Sequence, residues 1–129
     1  MSAGPLMWLA VGAGGAIGAC ARYAVTLALG PHDGQTFPIA TFSANVCGAF
    51  AMGLFAGFLA SRGGDGGLLR GFLGVGLLGA FTTYSTFSLE AFALAEAGVL
   101  RLAGLYIFGT AVSTVLVFAA GAFLVKSIL

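Results

Sequence analysis

The sequence predicts an all-α membrane protein with four transmembrane helices, the third of them broken. Of its 129 residues, 60% are hydrophobic and only 7% are charged, and the mean hydropathy is +1.08. A soluble domain carries about 25% charged residues. The apolar residues form four stretches, each near the ~20 residues that a membrane-spanning helix needs. A net charge of +1 argues against a nucleic-acid partner.

The four predicted helices belong to one domain, 1–129, because the chain is too short for two. Short polar or glycine-rich breaks separate them: "GPHDGQ" after the first, "SRGGDGG" after the second and a stretch near 96–101 after the third. The predicted helices cover residues 6–29, 37–60, 68–97 and 102–128.

The distribution of basic residues bears on the orientation of the chain in the membrane, and the spacing of the glycines bears on its oligomeric state. One side of the membrane would hold three basic residues and the other two, which is a weak orientation signal. Either another feature sets the orientation, or the chain inserts both ways and pairs antiparallel.

Gly14-xxx-Gly18 and Gly53-xxx-Gly57 are faces that let helices approach closely. Packing within one chain explains any single pair equally well, but a homodimer explains the whole set better.

The stretch "GLLGAFTTYSTF" predicts the break in the third helix. Glycines precede a run of β-branched threonines, which have low helix propensity. We expect the interruption near Gly79–Thr83, in a place where the backbone is buried or lines a cavity. A gently kinked helix is the alternative.

Hydroxyl and amide groups collect inside the apolar spans. Six of the seven residues from Thr82 to Ser88 carry a hydroxyl. Thr41 and Asn45 share one side of the second helix, and Tyr84 and Phe87 share one side of the third. The fourth helix carries a polar stripe at Tyr106, Thr110, Ser113 and Thr114. A lone hydroxyl usually bonds its own helix carbonyl, but a track on three segments is poorly explained in that way.

This track consists of hydrogen-bond donors without a strong charge. Amide and hydroxyl groups, and the positive edges of aromatic rings, suit an anion. Conduction requires binding strong enough to admit the ion and weak enough to release it. The residues therefore predict a pathway for a small anion that accepts hydrogen bonds strongly.

The chain resembles the small fluoride-channel family (Fluc, CrcB-like). The likeness lies in "GGAIGACARY" of the first span, "FPIATFSANVCG" of the second and "GLLGAFTTYSTFSLE" of the third, with weaker support from "YIFGTAVST" in the fourth. It implies a passive fluoride channel in the cell (inner) membrane, with two antiparallel pores in a dual-topology homodimer that exports fluoride. It also implies a structural sodium ion at the dimer interface.

The resemblance assigns roles to individual residues. The carbonyls of Gly79 and Thr82 would hold the sodium ion, and Arg22 would lie near the aqueous vestibule. Tyr84 departs from the family pattern, which has phenylalanine there. Together with Thr41 from the residue spacing, the fluoride pathway would include Asn45, Tyr84, Ser85, Thr86, Phe87, Tyr106, Thr110 and Thr114.

Two rival functions remain open from the sequence. A small multidrug-type, proton-coupled transporter also has four spans, but it uses a glutamate in the first helix, where this chain has only Arg22. A membrane scaffold without transport would have no aligned donor track. An enzyme is not expected, because His32 is the only histidine and lies in a loop beside Asp33.

Overall fold

The computed structural model describes residues 4–129, and in this part of the chain four helical segments are long and apolar enough to cross a membrane. The third segment, 67–96, is divided by the break into two helices. Each segment begins and ends within two residues of the predicted bounds. The helices are α1 (Pro5–Leu29), α2 (Ile39–Arg62), α3 (67–81), α4 (Tyr84–Glu96) and α5 (Leu100–Ile128).

The break lies at Thr82 and Thr83. Both residues have extended backbones, with ψ of 159° at Thr82 and φ of −152° at Thr83. The structure therefore has a true interruption in the predicted region, and not a gentle kink. Because the two residues leave the helical conformation, α4 begins anew at Tyr84 with its own N-terminus.

The first half of the third span is unusual in its backbone. Within α3, residues Arg70–Leu78 form a π-helix, between short α-helical turns. This stretch packs against α1. A β-carbon at Gly14 or Gly18 would collide with backbone atoms of α3, and one at Gly76 would collide with the backbone of α1. The absence of side chains at these three glycines therefore lets the two helix backbones touch.

The second glycine pair has the same role elsewhere in the chain. α2 packs chiefly against α5, and a β-carbon at Gly53 or Gly57 would meet the carbonyl of Phe118 or Ala122. Both small-residue faces are thus used inside one chain. For these two pairs the alternative, packing within one chain, is what the structure shows. The homodimer stays a prediction.

The buried core joins α4 to α5. Three α4 residues at helical spacing pack against two α5 residues, and the largest of the fully buried side chains is Tyr106. Its ring and that of Phe87 have centroids 5.0 Å apart. This core holds the polar second half of the third span against the helix that carries the hydroxyl stripe. The cluster consists of Phe87, Ala91, Leu94, Ala103 and Tyr106.

Candidate functional site

The side-chain amide of Asn45 forms two hydrogen bonds with the backbone at the break. Its Nδ2 donates to the Thr83 carbonyl at 3.0 Å, and its Oδ1 accepts from the Thr83 backbone N–H at 2.8 Å. A side-chain amide is the group that can do both at once, since it carries a donor and an acceptor side by side. Asn45 therefore replaces the partner that the Thr83 N–H loses at the break, and it adds a second donor to the Thr83 carbonyl.

The break also frees carbonyl groups. In a continuous helix the Gly79 carbonyl accepts from the Thr83 N–H, and the Thr82 carbonyl accepts from the Thr86 N–H. Here the first N–H is given to Asn45, and the second is given at 3.2 Å to the Thr83 hydroxyl, which caps α4. The carbonyls of Gly79 and Thr82 thus lose their usual helical donors.

Arg22 reaches the same region from α1. Its Nε donates to the Ala80 carbonyl at 3.1 Å, in the last turn of α3. A cation near the C-terminal end of a helix is favoured by the helix dipole. Arg22 therefore fastens α1 to the end of α3, and it lines neither of the two cavities described below.

Glu90 is a buried carboxylate to which sequence reasoning gave no role. It accepts from the Thr41 hydroxyl at 2.8 Å and from the Tyr106 hydroxyl at 2.7 Å. Hydrogen bonds to an ionised group are roughly twice as strong as neutral ones. The sequence spacing could have pointed to Glu90, because it lies three residues after Phe87 and hence on the same helix face. The structure thus commits two predicted pathway hydroxyls, those of Thr41 and Tyr106, to Glu90.

One cavity of about 430 Å³ lies beside the break, and we call it the break-side cavity. The Thr110 hydroxyl is buried and has no hydrogen-bond partner among residues 4–129. Thr114, in contrast, donates to carbonyls of its own helix, as an isolated hydroxyl usually does. The predicted site residues that line this cavity are Asn45, Thr82, Tyr84, Phe87, Thr110 and Thr114.

A second cavity of about 460 Å³ lies towards the loop between α1 and α2, and we call it the loop-side cavity. Two predicted residues, Thr41 and Thr86, line it together with Glu90 and His32. Tyr106 touches both regions, since its ring packs on Phe87 and its hydroxyl bonds Glu90. The buried Tyr106 side chain therefore lies between the two cavities.

Two predicted residues lie at the surface of the single chain. Tyr84 is 81% exposed, although its ring centroid is 5.5 Å from that of Phe87. Ser85 is exposed as well, and its hydroxyl lies 3.4 Å from that of Thr83. Both residues follow the break directly, so this surface is polar at a depth where a membrane protein would meet lipid.

Comparison with known proteins places this arrangement in a family. The family described as "CrcB-like protein, Camphor Resistance (CrcB)" matches residues 9–122. The chain belongs to the CrcB-like family. This confirms the resemblance drawn from the sequence motifs, and the four apolar spans agree with a multi-pass membrane protein.

Curated CrcB-like relatives match nearly the whole chain. A protein named fluoride-specific ion channel FluC from Sphingopyxis alaskensis is 44% identical over 115 residues, which cover 89% of this chain and 91% of the relative. A protein of the same name from Rhodopseudomonas palustris is 40% identical, covering 95% and 99%. A third, from Idiomarina loihiensis, is 47% identical and covers 89% of each chain.

Proposed function

We propose that this CrcB-like protein is a passive, fluoride-selective channel that exports fluoride through the cell (inner) membrane. The names of its relatives support fluoride as the ion. The observation that carries the proposal is the buried, unpartnered hydroxyl of Thr110 in the break-side cavity. A buried donor without a partner costs roughly 1–3 kcal/mol, and a strongly accepting anion relieves that cost.

The break-side cavity suits an anion that must exchange water for protein donors. Asn45 has a second N–H beyond the one given to Thr83, and the Phe87 ring offers a positive edge. No lysine or arginine lines this cavity among the described residues. Donors without a full positive charge bind the anion without trapping it, so it can move on.

Passage between the two cavities requires a rearrangement around Tyr106. An anion next to Glu90 is repelled by the carboxylate, unless the hydroxyls of Tyr106 and Thr41 turn from Glu90 to the anion. Rotation of a hydroxyl keeps the heavy atoms in place. We therefore infer that these two hydroxyls form the narrowest step of the pathway and are shared between the carboxylate and the passing ion.

We also propose that the working unit is an antiparallel, dual-topology homodimer. Broken backbone at membrane depth is tolerated only where protein or a water-filled cavity covers it. The surface after the break exposes Tyr84, Ser85 and Ser88 in the single chain. A second copy that covers this surface would remove its hydroxyls from lipid. Static light scattering in detergent should give the mass of two chains, and a conducting monomer would contradict the proposal.

A sodium ion fits the freed carbonyls of the break. Hard cations take oxygen ligands, and backbone carbonyls of interrupted membrane helices supply them. The carbonyls of Gly79 and Thr82 have lost their helical donors, which supports them as ligands shared with a second copy. Replacing sodium by N-methylglucamine on both sides of the membrane should then slow fluoride efflux, whereas unchanged efflux would argue against the ion.

The function is tested by fluoride efflux from liposomes loaded with potassium fluoride. An external electrode follows release after valinomycin removes the potential, with chloride-loaded vesicles as the comparison. We expect fast fluoride release, chloride retention and no dependence on a proton gradient. Coupled proton movement would favour the small multidrug-type transporter, and release no faster than from empty liposomes would favour the scaffold.

Substitution of Thr110 tests the observation that carries the proposal. Thr110→Val removes the hydroxyl at nearly constant volume, and we expect efflux to fall by roughly tenfold, because one buried hydrogen bond contributes about 1 ± 0.5 kcal/mol. Thr110→Ser keeps the donor and should retain most of the efflux. Equal rates for the two variants would show that the hydroxyl does not contact the ion.

A further inference from the structure

The ring of His32 lies at the loop-side cavity with both nitrogens buried. Neither Nδ1 nor Nε2 has a hydrogen-bond partner within residues 4–129. An imidazole carries at least one N–H donor in every protonation state. Buried polar groups almost always find a partner, and an exception calls for an explanation such as a bound ion or water. The His32 ring therefore has donor capacity that the described chain does not use.

The neighbouring carboxylate does not satisfy that donor. Asp33 Oδ1 accepts from the backbone N–H of Gln35 at 2.9 Å, and from the backbone N–H and hydroxyl of Thr36 at 2.8 Å each. These bonds, first that of Gln35, lower the pKa of Asp33 to about 2. Asp33 is thus ionised near neutral pH but is engaged in its own turn, which fixes the loop that carries His32.

The loop-side cavity holds few groups that compete with His32 for an anion. Within residues 4–129, Glu90 on α4 is the only carboxyl group that lines the cavity, and it is engaged by the hydroxyls of Thr41 and Tyr106. α1 and α2 contribute hydroxyls and apolar groups without charge. The unused donor of His32 is therefore available to a small anion in this cavity.

We propose that His32 forms, with the loop-side cavity, an outer binding site for the permeating anion. This proposal rests on the proposed fluoride pathway. The ligand class is a small anion that accepts strong hydrogen bonds, with fluoride as the expected occupant.

The single histidine of the chain allows the site to be observed directly. The imidazole resonances of the full-length protein in lipid nanodiscs are followed by NMR during titration with potassium fluoride. We expect a saturable shift with fluoride and a much smaller shift with potassium chloride. Resonances that do not move with fluoride would overturn the proposal.

Efflux measurements separate this site from the pathway itself. His32→Ala should lower fluoride efflux by roughly three- to tenfold, the value of one hydrogen bond. His32→Gln keeps an N–H donor, so it should retain more efflux than His32→Ala. Gln35→Ala, an exposed change in the same loop, is the control and should match the unmodified chain.

The outcomes distinguish the two proposals. If the unmodified chain does not release fluoride, the channel function fails, and the outer site, which depends on it, fails as well. If the unmodified chain conducts while His32→Ala matches its efflux rate, only the outer site is overturned.

Discussion

The two halves of the third span are held in opposite ways. The first half, α3, touches α1 mainly through glycines that bring backbone atoms together, and the Arg22 side chain adds one hydrogen bond at its end. The second half, α4, is held by side-chain hydrogen bonds from α2 and α5, which end on Thr83 and Glu90. The halves differ in chemistry because glycine contacts exclude polar side chains, whereas the hydrogen-bonded half must carry them.

This difference assigns a separate task to each half. Backbone contact through glycines leaves no room for an ion, so α3 serves as an anchor. The hydrogen-bonded half borders two cavities, and in one of them the Thr110 hydroxyl of the neighbouring α5 has no partner within residues 4–129. Changes in the second half should therefore affect both stability and conduction, while changes in the first should affect stability alone.

The largest effect is expected at Asn45, where the two halves meet. Asn45→Ala leaves the N–H of Thr83 without its partner in a part-buried place, and the Thr83 carbonyl keeps only the helical bond that an N-cap residue accepts. The orphaned N–H and the lost bond to the carbonyl should together cost about 2–4 kcal/mol in the free energy of unfolding, and fluoride efflux should fall to the level of empty liposomes. Thermal unfolding in detergent and the efflux assay measure the two effects.

Asn45→Asp is the matched control. Its carboxylate still accepts from the Thr83 N–H but cannot donate to the Thr83 carbonyl when ionised. We expect a loss of stability between those of the unmodified chain and Asn45→Ala. A stable, conducting Asn45→Ala variant would show that the break does not depend on this amide.

Glu90→Ala should have the next largest effect. It removes the acceptor of both Thr41 and Tyr106, and the Tyr106 side chain is fully buried. We expect a loss of about 2–3 kcal/mol in the free energy of unfolding, measured by thermal unfolding. Glu90→Gln keeps an acceptor for Tyr106 and should cost less than about 1 kcal/mol. Equal losses of stability in Glu90→Ala and Glu90→Gln would mean that the charge of residue 90, and not its capacity to accept hydrogen bonds, stabilises this cluster.

Gly18→Ala tests the anchoring half. A β-carbon there collides with the Leu77 backbone, so the two helices must separate. Overpacking typically costs about 1–3 kcal/mol, and fluoride efflux per amount of folded protein should stay close to normal. At Gly15 no atom outside the local backbone lies within 4 Å of a β-carbon in the described chain. Gly15→Ala should therefore be neutral or slightly stabilising, and a loss as large as that of Gly18→Ala would contradict the close contact.

Sequence patterns predicted the four spans and the break because hydropathy, span length and threonine propensity are local properties. The partners of the polar groups were not predictable in the same way. The bond between Asn45 and Thr83 joins residues 38 positions apart, and that between Thr41 and Glu90 joins residues 49 apart. The glycine faces were recognised, but the helices that they contact were not, since a small residue permits close approach without specifying which helix approaches.

The smallest effect is expected at the cap of α4. Thr83 accepts the Thr86 N–H with its hydroxyl, which satisfies one of the free donors at the start of the helix. Thr83→Ala should cost about 1 kcal/mol, while Thr83→Ser keeps the cap and should cost only a few tenths. Thermal unfolding separates the two. Because the Asn45 bonds go to the Thr83 backbone, both variants keep the break, and both should still conduct fluoride. Loss of conduction in Thr83→Ala alone would instead place this hydroxyl among the groups that the ion contacts.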